Sequence, residues 1–221
     1  GADVVRLERD DPKKMRGGFG RLLAYAFVKK DGRWTSYNVE CVRDGMSPYF
    51  TKYGYSHRFH NQFSRAEAEA REAARGIWAS DAEGYGDYDQ RKAWWNARAD
   101  FIRAFEQEGN ARDDYIDLAH SDAAADLERH LGKEVTVLST VERIKRFKGL
   151  TRVALSTNGK QRFPLIFFDR NVFDESGVAA FVREPVVARG KVERYEKGSY
   201  ETLQIVIHDP SQLTLPDLPP T

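Results

Sequence analysis

The sequence predicts a mixed α+β fold that is mainly β, with two β-rich regions joined by a helical connector. Three observations support this class: alternating apolar segments towards both ends, helical apolar spacing in the middle, and glycine-rich turns between segments. The chain has 221 residues, 41% hydrophobic and 31% charged, as is typical of a globular protein. We expect regions at 1–80 and 133–215, a connector at 81–132 and a tail at 216–221.

Near the N-terminus, three segments alternate well enough to be strands. They span residues 3–8, 21–28 and 33–43. The third contains the single cysteine, Cys41, for which a small buried side chain is the expected role. A helix should follow, because Ser64 and Glu67 have the spacing of a capping box and Gly76 stands where a left-handed cap belongs. Two further helices are predicted at 88–108 and 121–131.

After Gly132 the pattern changes to five strand-like segments. They read KEVTVLSTVERIK, LTRVALST, QRFPLIFF, PVVARGKVERYE and SYETLQIVI. A helix-like stretch, DRNVFDESGVAAFV, separates the third from the fourth. Three strands, a helix and two strands is the order of an OB-fold, a small five-stranded Greek-key barrel. The sequence therefore predicts an OB-type barrel over 133–215.

Charge is unevenly distributed along the chain. Residues 1–80 carry 15 Lys and Arg against 10 Asp and Glu, residues 81–132 carry 6 against 13, and residues 133–221 carry 14 against 11. Two basic ends could face a polyanion, whereas the acidic middle would repel one. The chain contains no apolar run of membrane-spanning length and no signal-peptide pattern at its start, so we expect no membrane partner and assign no compartment.

Several motifs in residues 3–78 occur in the order found in one known family. FGRLLAYAFV, NVECVRDGMSPYF and a helix ending in RGIW resemble the second half of a staphylococcal nuclease (thermonuclease) domain. The resemblance implies a partial nuclease-type OB barrel here, with Arg21 binding the scissile phosphate. It also implies that Tyr53 packs near the nucleotide and that Phe19 stands where the family usually has a tyrosine.

The front of that family's domain has no counterpart in this sequence. Its metal-binding aspartates, second phosphate-binding arginine and general-base glutamate lie on three earlier strands, which Asp3, Glu8, Asp10 and Asp11 do not match. The resemblance therefore implies Ca²⁺-dependent phosphodiesterase activity only when the N-terminal half is present. A second polypeptide could supply those strands, and we expect this chain alone to be inactive and to bind no metal.

The chemistry of Arg21 agrees with that role. A guanidinium can bond two phosphate oxygens at once and stays protonated, which suits a transition state that gains negative charge. A glycine turn before Arg21 would limit where a side chain at a strand start can point. The alternative is a solvated arginine after a hairpin turn.

Two further regions combine aromatic rings with cations, the combination used to bind single-stranded nucleic acid. In PYFTKYGYSHRFH we expect Lys52 and Tyr53 to contact nucleic acid, together with Phe19, and Tyr49, Phe50 and Phe59 to be core. The two long barrel loops supply the other candidates. These are Arg143, Lys145, Arg146, Phe147, Lys148, Arg194, Tyr195 and Lys197. Such loops flank the face on which OB-folds bind oligonucleotides, although charged hairpin tips also serve solubility.

The sequence thus predicts a protein that binds nucleic acid, single-stranded DNA or RNA, and is an endonuclease when its N-terminal half is present. The alternative hypothesis is an inactive module that binds nucleic acid or docks another protein.

Overall fold

The computed structural model describes residues 4–17, 21–30, 32–82 and 86–219. The chain forms two compact units, one comprising Gly1–Asp100 with Leu218–Thr221 and the other Phe101–Asp217. No helix among the described residues is long and apolar enough to cross a membrane.

In its described part, the first unit combines a small antiparallel sheet with three helices. Its elements are β1 (Val5–Glu8), β2 (Tyr25–Lys30), β3 (Arg33–Ser36), α1 (Tyr37–Arg43), α2 (His60–Glu72), a 3-10 turn (Gly76–Trp78) and most of α3 (Tyr88–Glu108). Strand β2 pairs with β1 on one side and β3 on the other, with Leu7 opposite Ala26 and Phe27 opposite Ser36. The predicted helix over 88–108 is confirmed.

The third predicted strand is wrong beyond Ser36, where the chain turns into α1. The hydroxyl of Ser36 accepts a hydrogen bond from the amide of Val39 and so caps the helix. Val39 and Val42, three residues apart, are both buried, which is a helical rather than a strand spacing. Cys41 therefore lies on a helix and is half-buried.

Helix α2 begins four residues before the predicted capping box. Ser64 lies inside the helix, and the Glu67 carboxylate accepts a hydrogen bond from the Tyr49 amide, 2.9 Å away. Gly76 has a positive φ of 53°, as predicted for that position, but it follows the helix end and opens the 3-10 turn. The capping-box prediction is wrong because tertiary contacts extend the helix towards its N-terminus.

An aromatic cluster forms the core of the first unit. The Tyr25 ring meets Phe59 edge-on at 5.0 Å, and Tyr49 stacks on Phe63 at 4.9 Å. Both geometries are favourable for aromatic pairs. Tyr25 and Phe27 face this core as the alternation of β2 requires, which leaves Ala26 and Val28 on the other face of the sheet.

The second unit is built around a long, strongly twisted sheet. After α3 its described strands and α-helices are β4 (Tyr115–Asp117), α4 (Ala123–Arg129), β5 (Glu134–Phe147), β6 (Leu150–Leu155), β7 (Phe163–Phe167), α5 (Arg170–Glu175), β8 (Pro185–Lys197), β9 (Tyr200–Val206) and β10 (Leu213–Thr214). The helix predicted at 121–131 is present but shorter, and the short strands β4 and β10 were not predicted.

Five of these strands close into the predicted OB-type barrel. The order is β5-β6-β7-β9-β8, and β8 pairs back onto β5 with Val137 opposite Ala188. Strands β7 and β9 run parallel, and β4 and β10 add to the outside of the ring. Helix α5 covers one end of the barrel, where Phe173 meets Phe167 edge-on at 5.3 Å.

Packing between β8 and β9 is close enough to require a glycine. A Cβ atom at Gly190 would lie 2.5 Å from Cγ2 of Ile205, which is fully buried. Apolar side chains from every strand of the ring fill the interior. The barrel core is therefore complete within the second unit.

Candidate nucleic-acid interface

Arg21 lies at the base of a hairpin loop. The Gly17 amide donates to the Arg21 carbonyl at 2.9 Å, and the Leu23 amide donates to the Met15 carbonyl at 2.9 Å. Strand β2 begins only at Tyr25, so the prediction that Arg21 opens this strand is wrong. Residues 21–23 pair with the other arm of the loop instead of with β1. The Arg21 side chain is exposed, whereas Phe19 lies outside the described residues.

Carboxylates beside this loop organise a neighbouring turn. Asp10 accepts hydrogen bonds from the Ser56 hydroxyl at 2.9 Å and from the amides of His57 and Arg58 at 2.9 and 3.2 Å. Glu8 pairs with the Arg58 guanidinium at 2.6 Å. Among the described residues, no group of three or more His, Cys, Asp or Glu could hold a metal ion. These side chains do not fit the Ca²⁺ site of a complete nuclease domain.

Half-buried Lys52 and exposed Tyr53 form a cluster with neighbouring rings. The Lys52 ammonium lies 5.2 Å from the centroid of the Trp94 ring and 5.9 Å from that of Tyr53. Tyr53 is 67% exposed, and the ring of Phe50, 48% exposed, meets it edge-on at 5.8 Å. Tyr49 and Phe59 are buried, as predicted, but the prediction that Phe50 is core is wrong. Phe50 rests on Trp95 at 4.7 Å with its outer side in solvent.

Burial of Tyr49 has an electrostatic consequence. Desolvation raises the pKa of its hydroxyl well above the usual value, which keeps the group neutral and able to hydrogen bond. Its oxygen accepts the Ser56 amide hydrogen at 2.8 Å and lies 3.3 Å from Nδ1 of His60. Tyr49 therefore ties the cluster segment to the turn that Asp10 organises.

In the second unit, cations and tyrosines share the outer face of the barrel. Lys145 on β5 stands opposite Arg152 on β6, so both side chains lie on one face. The Arg152 guanidinium donates to the Tyr200 hydroxyl at 2.8 Å. The rings of Tyr195 and Tyr200 are 6.3 Å apart and lie nearly perpendicular. This group reaches across β6, β9 and β8.

The two hairpin loops extend this face. Arg143 and Phe147 follow the alternation of Lys145, and Lys197 stands opposite Tyr200. Lys148 is exposed in the turn that Gly149 completes with a φ of 86°. The structure thus brings together most of the predicted barrel residues. They are Arg143, Lys145, Phe147, Lys148, Tyr195 and Lys197.

Two predicted residues lie on the inward side of their strands. Arg146 follows Ile144 on the core side, 5.4 Å from the Phe173 ring centroid and 4.0 Å from the Asp174 carboxylate. Arg194 forms ion pairs with Glu128 at 2.6 Å and with Glu201. Neighbouring carboxylates compensate both cations, and neither belongs to the outer face.

Sequence reasoning missed some residues near these surfaces. Phe168, directly after β7, is 61% exposed and ends the QRFPLIFF segment. The exposure of Phe168 could have been predicted from the sequence, because the alternation of β7 places Phe167 inside and Phe168 outside. Trp94 and Arg98 lie on α3, and nothing in the sequence connects them with Lys52.

Comparison with known proteins gives one family match and several structural ones. Residues 2–80 match the family model described as staphylococcal nuclease homologue. Among curated proteins, no relative matches this chain. A solved structure named OBody AM3L09 bound to hen egg-white lysozyme is 24% identical, with 39% of this chain and 84% of that chain covered and a TM-score of 0.32.

Two larger enzymes match over a similar share of this chain. An aspartyl-tRNA synthetase from Entamoeba histolytica is 14% identical, with 44% of this chain and 22% of that chain covered and a TM-score of 0.31. An asparaginyl-tRNA synthetase from the same organism is 18% identical, with 40% and 22% covered and a TM-score of 0.31. This chain spans about a fifth of either enzyme. The family match itself concerns the first unit, where residues 2–80 are similar to the staphylococcal nuclease homologue family.

Proposed function

We propose that this protein binds single-stranded DNA or RNA across the outer face of its barrel. The observation that carries the proposal is the contact of Arg152 with Tyr200, which joins cations of β5 and β6 to exposed rings of β8 and β9. Cations neutralise phosphates and rings stack on bases, and both interactions tolerate any sequence.

The charge on this face supports the same proposal. Arg146 and Arg194 have carboxylate partners, whereas the other predicted cations of the barrel lie on the outer face and in the turn. They are Arg143, Lys145, Lys148 and Lys197, all exposed. Exposed cations on one face attract a polyanion and make binding depend on salt, since bound counterions are released.

For the first unit we propose phosphate binding by Arg21 and nuclease activity only in a completed domain. Its support is the family match over residues 2–80 and the exposed guanidinium at the hairpin base. The remaining strands, and ligands for the Ca²⁺ that the family resemblance implies, would come from residues other than those described. In the described residues, Glu8 and Asp10 are engaged by Arg58 and by backbone amides.

A second polypeptide is one source of those strands. Val5 and Leu7 of β1 are 52% and 57% exposed, and in the described part of the chain the single strand partner of β1 is β2. An apolar strand with an open edge can pair with another chain.

Fluorescence anisotropy with labelled oligothymidylate and oligouridylate tests the barrel proposal. Lys145→Glu combined with Arg152→Glu should weaken binding at least about tenfold, and each lost phosphate contact should flatten the salt dependence by about 0.7 in log–log slope. Lys160→Glu, at an exposed lysine of the loop after β6, is the matched control and should bind as the parent chain does.

The same experiment separates the alternative function. Equal affinity of the double variant and the parent chain would remove the barrel face from the proposal. Absence of any salt-dependent oligonucleotide binding would favour a protein-docking module instead.

A further inference from the structure

The open edge of β1 carries backbone groups that point away from its sheet. The Ala26 amide donates to Oδ1 of Asn38 at 2.8 Å, so the backbone polar groups of Ala26 are directed away from β1. Leu7 lies opposite Ala26 in the β1–β2 register. The two residues of such a non-hydrogen-bonded pair direct their N–H and C=O groups away from each other. The N–H and C=O groups of Leu7 are therefore directed to the open edge.

The side chains of β1 are divided between the two faces of the sheet. Arg6 and Glu8 lie opposite Phe27 and Tyr25, on the face that carries the aromatic cluster. Leu7 lies on the other face and is 57% exposed. The guanidinium of Arg6 is 2.8 Å from the carboxylate of Glu8. One cation and one carboxylate thus lie on either side of Leu7 along an open strand.

This order of charges is self-complementary under two-fold symmetry. In a two-fold dimer the same patch of both copies forms the contact. If two β1 strands run antiparallel with Leu7 opposite Leu7, each Arg6 lies opposite Glu8 of the second copy. A pair centred on Arg6 or on Glu8 would place like charges opposite each other, which is destabilising. The register centred on Leu7 also brings together the edge-facing N–H and C=O groups of Leu7 in both copies.

We propose that β1 pairs with β1 of a second copy of this chain, antiparallel and centred on Leu7. Two three-stranded sheets then join into one sheet of six strands. The two copies of Leu7 exchange hydrogen bonds, and an Arg6–Glu8 pair lies on each side of them. The strands that would complete a nuclease domain compete with the second copy for this edge. The proposal does not depend on oligonucleotide binding by the barrel.

The contact is small, so the dimer should be weak. Strand β1 has four residues, Val5–Glu8, and pairing along so short an edge falls below the roughly 1,200 Å² of a stable interface. We expect a dissociation constant between about 10 μM and 1 mM. Sedimentation velocity of the full chain should therefore show a monomer in dilute solution and a dimer at high concentration. A monomer at every concentration would overturn the inference.

Amide hydrogen exchange tests the pairing in the parent chain without any substitution. The Leu7 amide should exchange severalfold more slowly at about 1 mM than at about 10 μM, because its N–H then bonds to the second copy. The Arg6 amide is directed towards β2 and is the internal control, with equal protection at both concentrations. Exchange of Leu7 that does not depend on concentration would contradict the proposal.

Charge reversal tests the register. Arg6→Glu and Glu8→Arg each place like charges opposite each other on both sides of the two-fold axis, and each should weaken self-association at least about fivefold. An equimolar mixture of the two variants should associate about as strongly as the parent chain. In the mixed dimer the introduced carboxylate faces the introduced guanidinium, and the native Glu8 faces the native Arg6. A mixture that associates no better than its components would rule out this register.

A backbone substitution tests the hydrogen bonds. Leu7→Pro removes the N–H that faces the open edge, which an edge strand tolerates and which the β1–β2 ladder does not use. We expect it to abolish the dimer, whereas Leu7→Ala keeps the N–H and should weaken association by no more than about fivefold. Association of Leu7→Pro equal to that of the parent chain would overturn the pairing.

Oligothymidylate binding separates this inference from the proposed function. Leu7→Pro should bind labelled oligothymidylate as the parent chain does, at concentrations at which both are monomeric. A parent chain that binds oligothymidylate and never dimerises would overturn the dimer alone. A chain that dimerises through β1 and does not bind oligothymidylate would support the dimer and overturn the barrel proposal.

Discussion

The sheets of the two units differ in whether their edge strands are paired. In the second unit, β8 returns to β5 and closes a ring, so every strand of the barrel has two neighbours. In the described part of the first unit, β1 and β3 flank β2 and leave open edges. Helices and an aromatic cluster cover one face of that sheet, while Val5 and Leu7 remain exposed on the other. In a closed sheet the strands satisfy one another's backbone hydrogen bonds, whereas an open sheet has edge N–H and C=O groups that can pair with another chain.

The largest test of this difference is to express the units separately. Residues 101–217 should fold alone and show a dispersed amide NMR spectrum, because their ring and core are complete. Residues 1–100 should associate or remain poorly ordered, because the apolar edge of β1 is unpaired. A monomeric, well-dispersed spectrum for residues 1–100 would contradict the comparison.

Truncation of one apolar side chain in each sheet sharpens the same contrast. Phe167 is 1% exposed, and Phe167→Ala should lower the free energy of unfolding by about 3–5 kcal/mol in chemical denaturation. Leu7→Ala, at the open edge, should change it by less than about 0.5 kcal/mol. A cost for Leu7→Ala similar to that for Phe167→Ala would mean that this edge is covered in solution.

The smallest effect on stability is expected at Arg21. The side chain is exposed, so Arg21→Ala should alter the free energy of unfolding by less than about 0.5 kcal/mol. In a domain completed by the missing strands, the same change should reduce turnover by about 10²-fold or more, since a transition-state donor is lost. Arg21→Lys should recover part of that loss, because an ammonium cannot make the two-pronged contact.

Melting curves and cleavage rates of these variants distinguish the two roles of Arg21. A variant that melts several degrees lower and cleaves normally would assign Arg21 to the hairpin, where its carbonyl accepts the Gly17 amide hydrogen.

Local patterns predicted a good part of this molecule. The order of strands and helix after Gly132 predicted the barrel, because period-2 alternation and turn residues are local features. The cations and rings at its hairpin tips were also predicted, because the residues of a hairpin tip are close together in the sequence. The motifs around Arg21 predicted the family segment that the match over residues 2–80 confirms.

The direction of individual side chains needed the tertiary structure. A register shift between Val141 and Arg143 on β5 changes which residues face the core. Arg146 consequently lies on the face of β5 that carries Ile144, beside the Phe173 ring, and Arg194 meets carboxylates of α4 and β9. Strand alternation alone does not reveal a bulge, so the eight predicted cations and rings of the barrel could not be sorted into faces from the sequence.

What the sequence alone determined about this protein is therefore its class of fold, the order of the barrel strands and the family that its first segment resembles. Tertiary structure decided the rest. Ser64 lies inside a longer α2 instead of capping it, and residues 37–43 form α1 instead of a strand. Arg98 of α3 also hydrogen bonds to the carbonyl of Lys52, in the segment that includes Tyr53. The physical reason is the sequence separation of the residues that interact. Alternation, turns and motifs depend on neighbours along the chain, whereas a cap, a buried ion pair or a bound carbonyl depends on residues that only folding brings together.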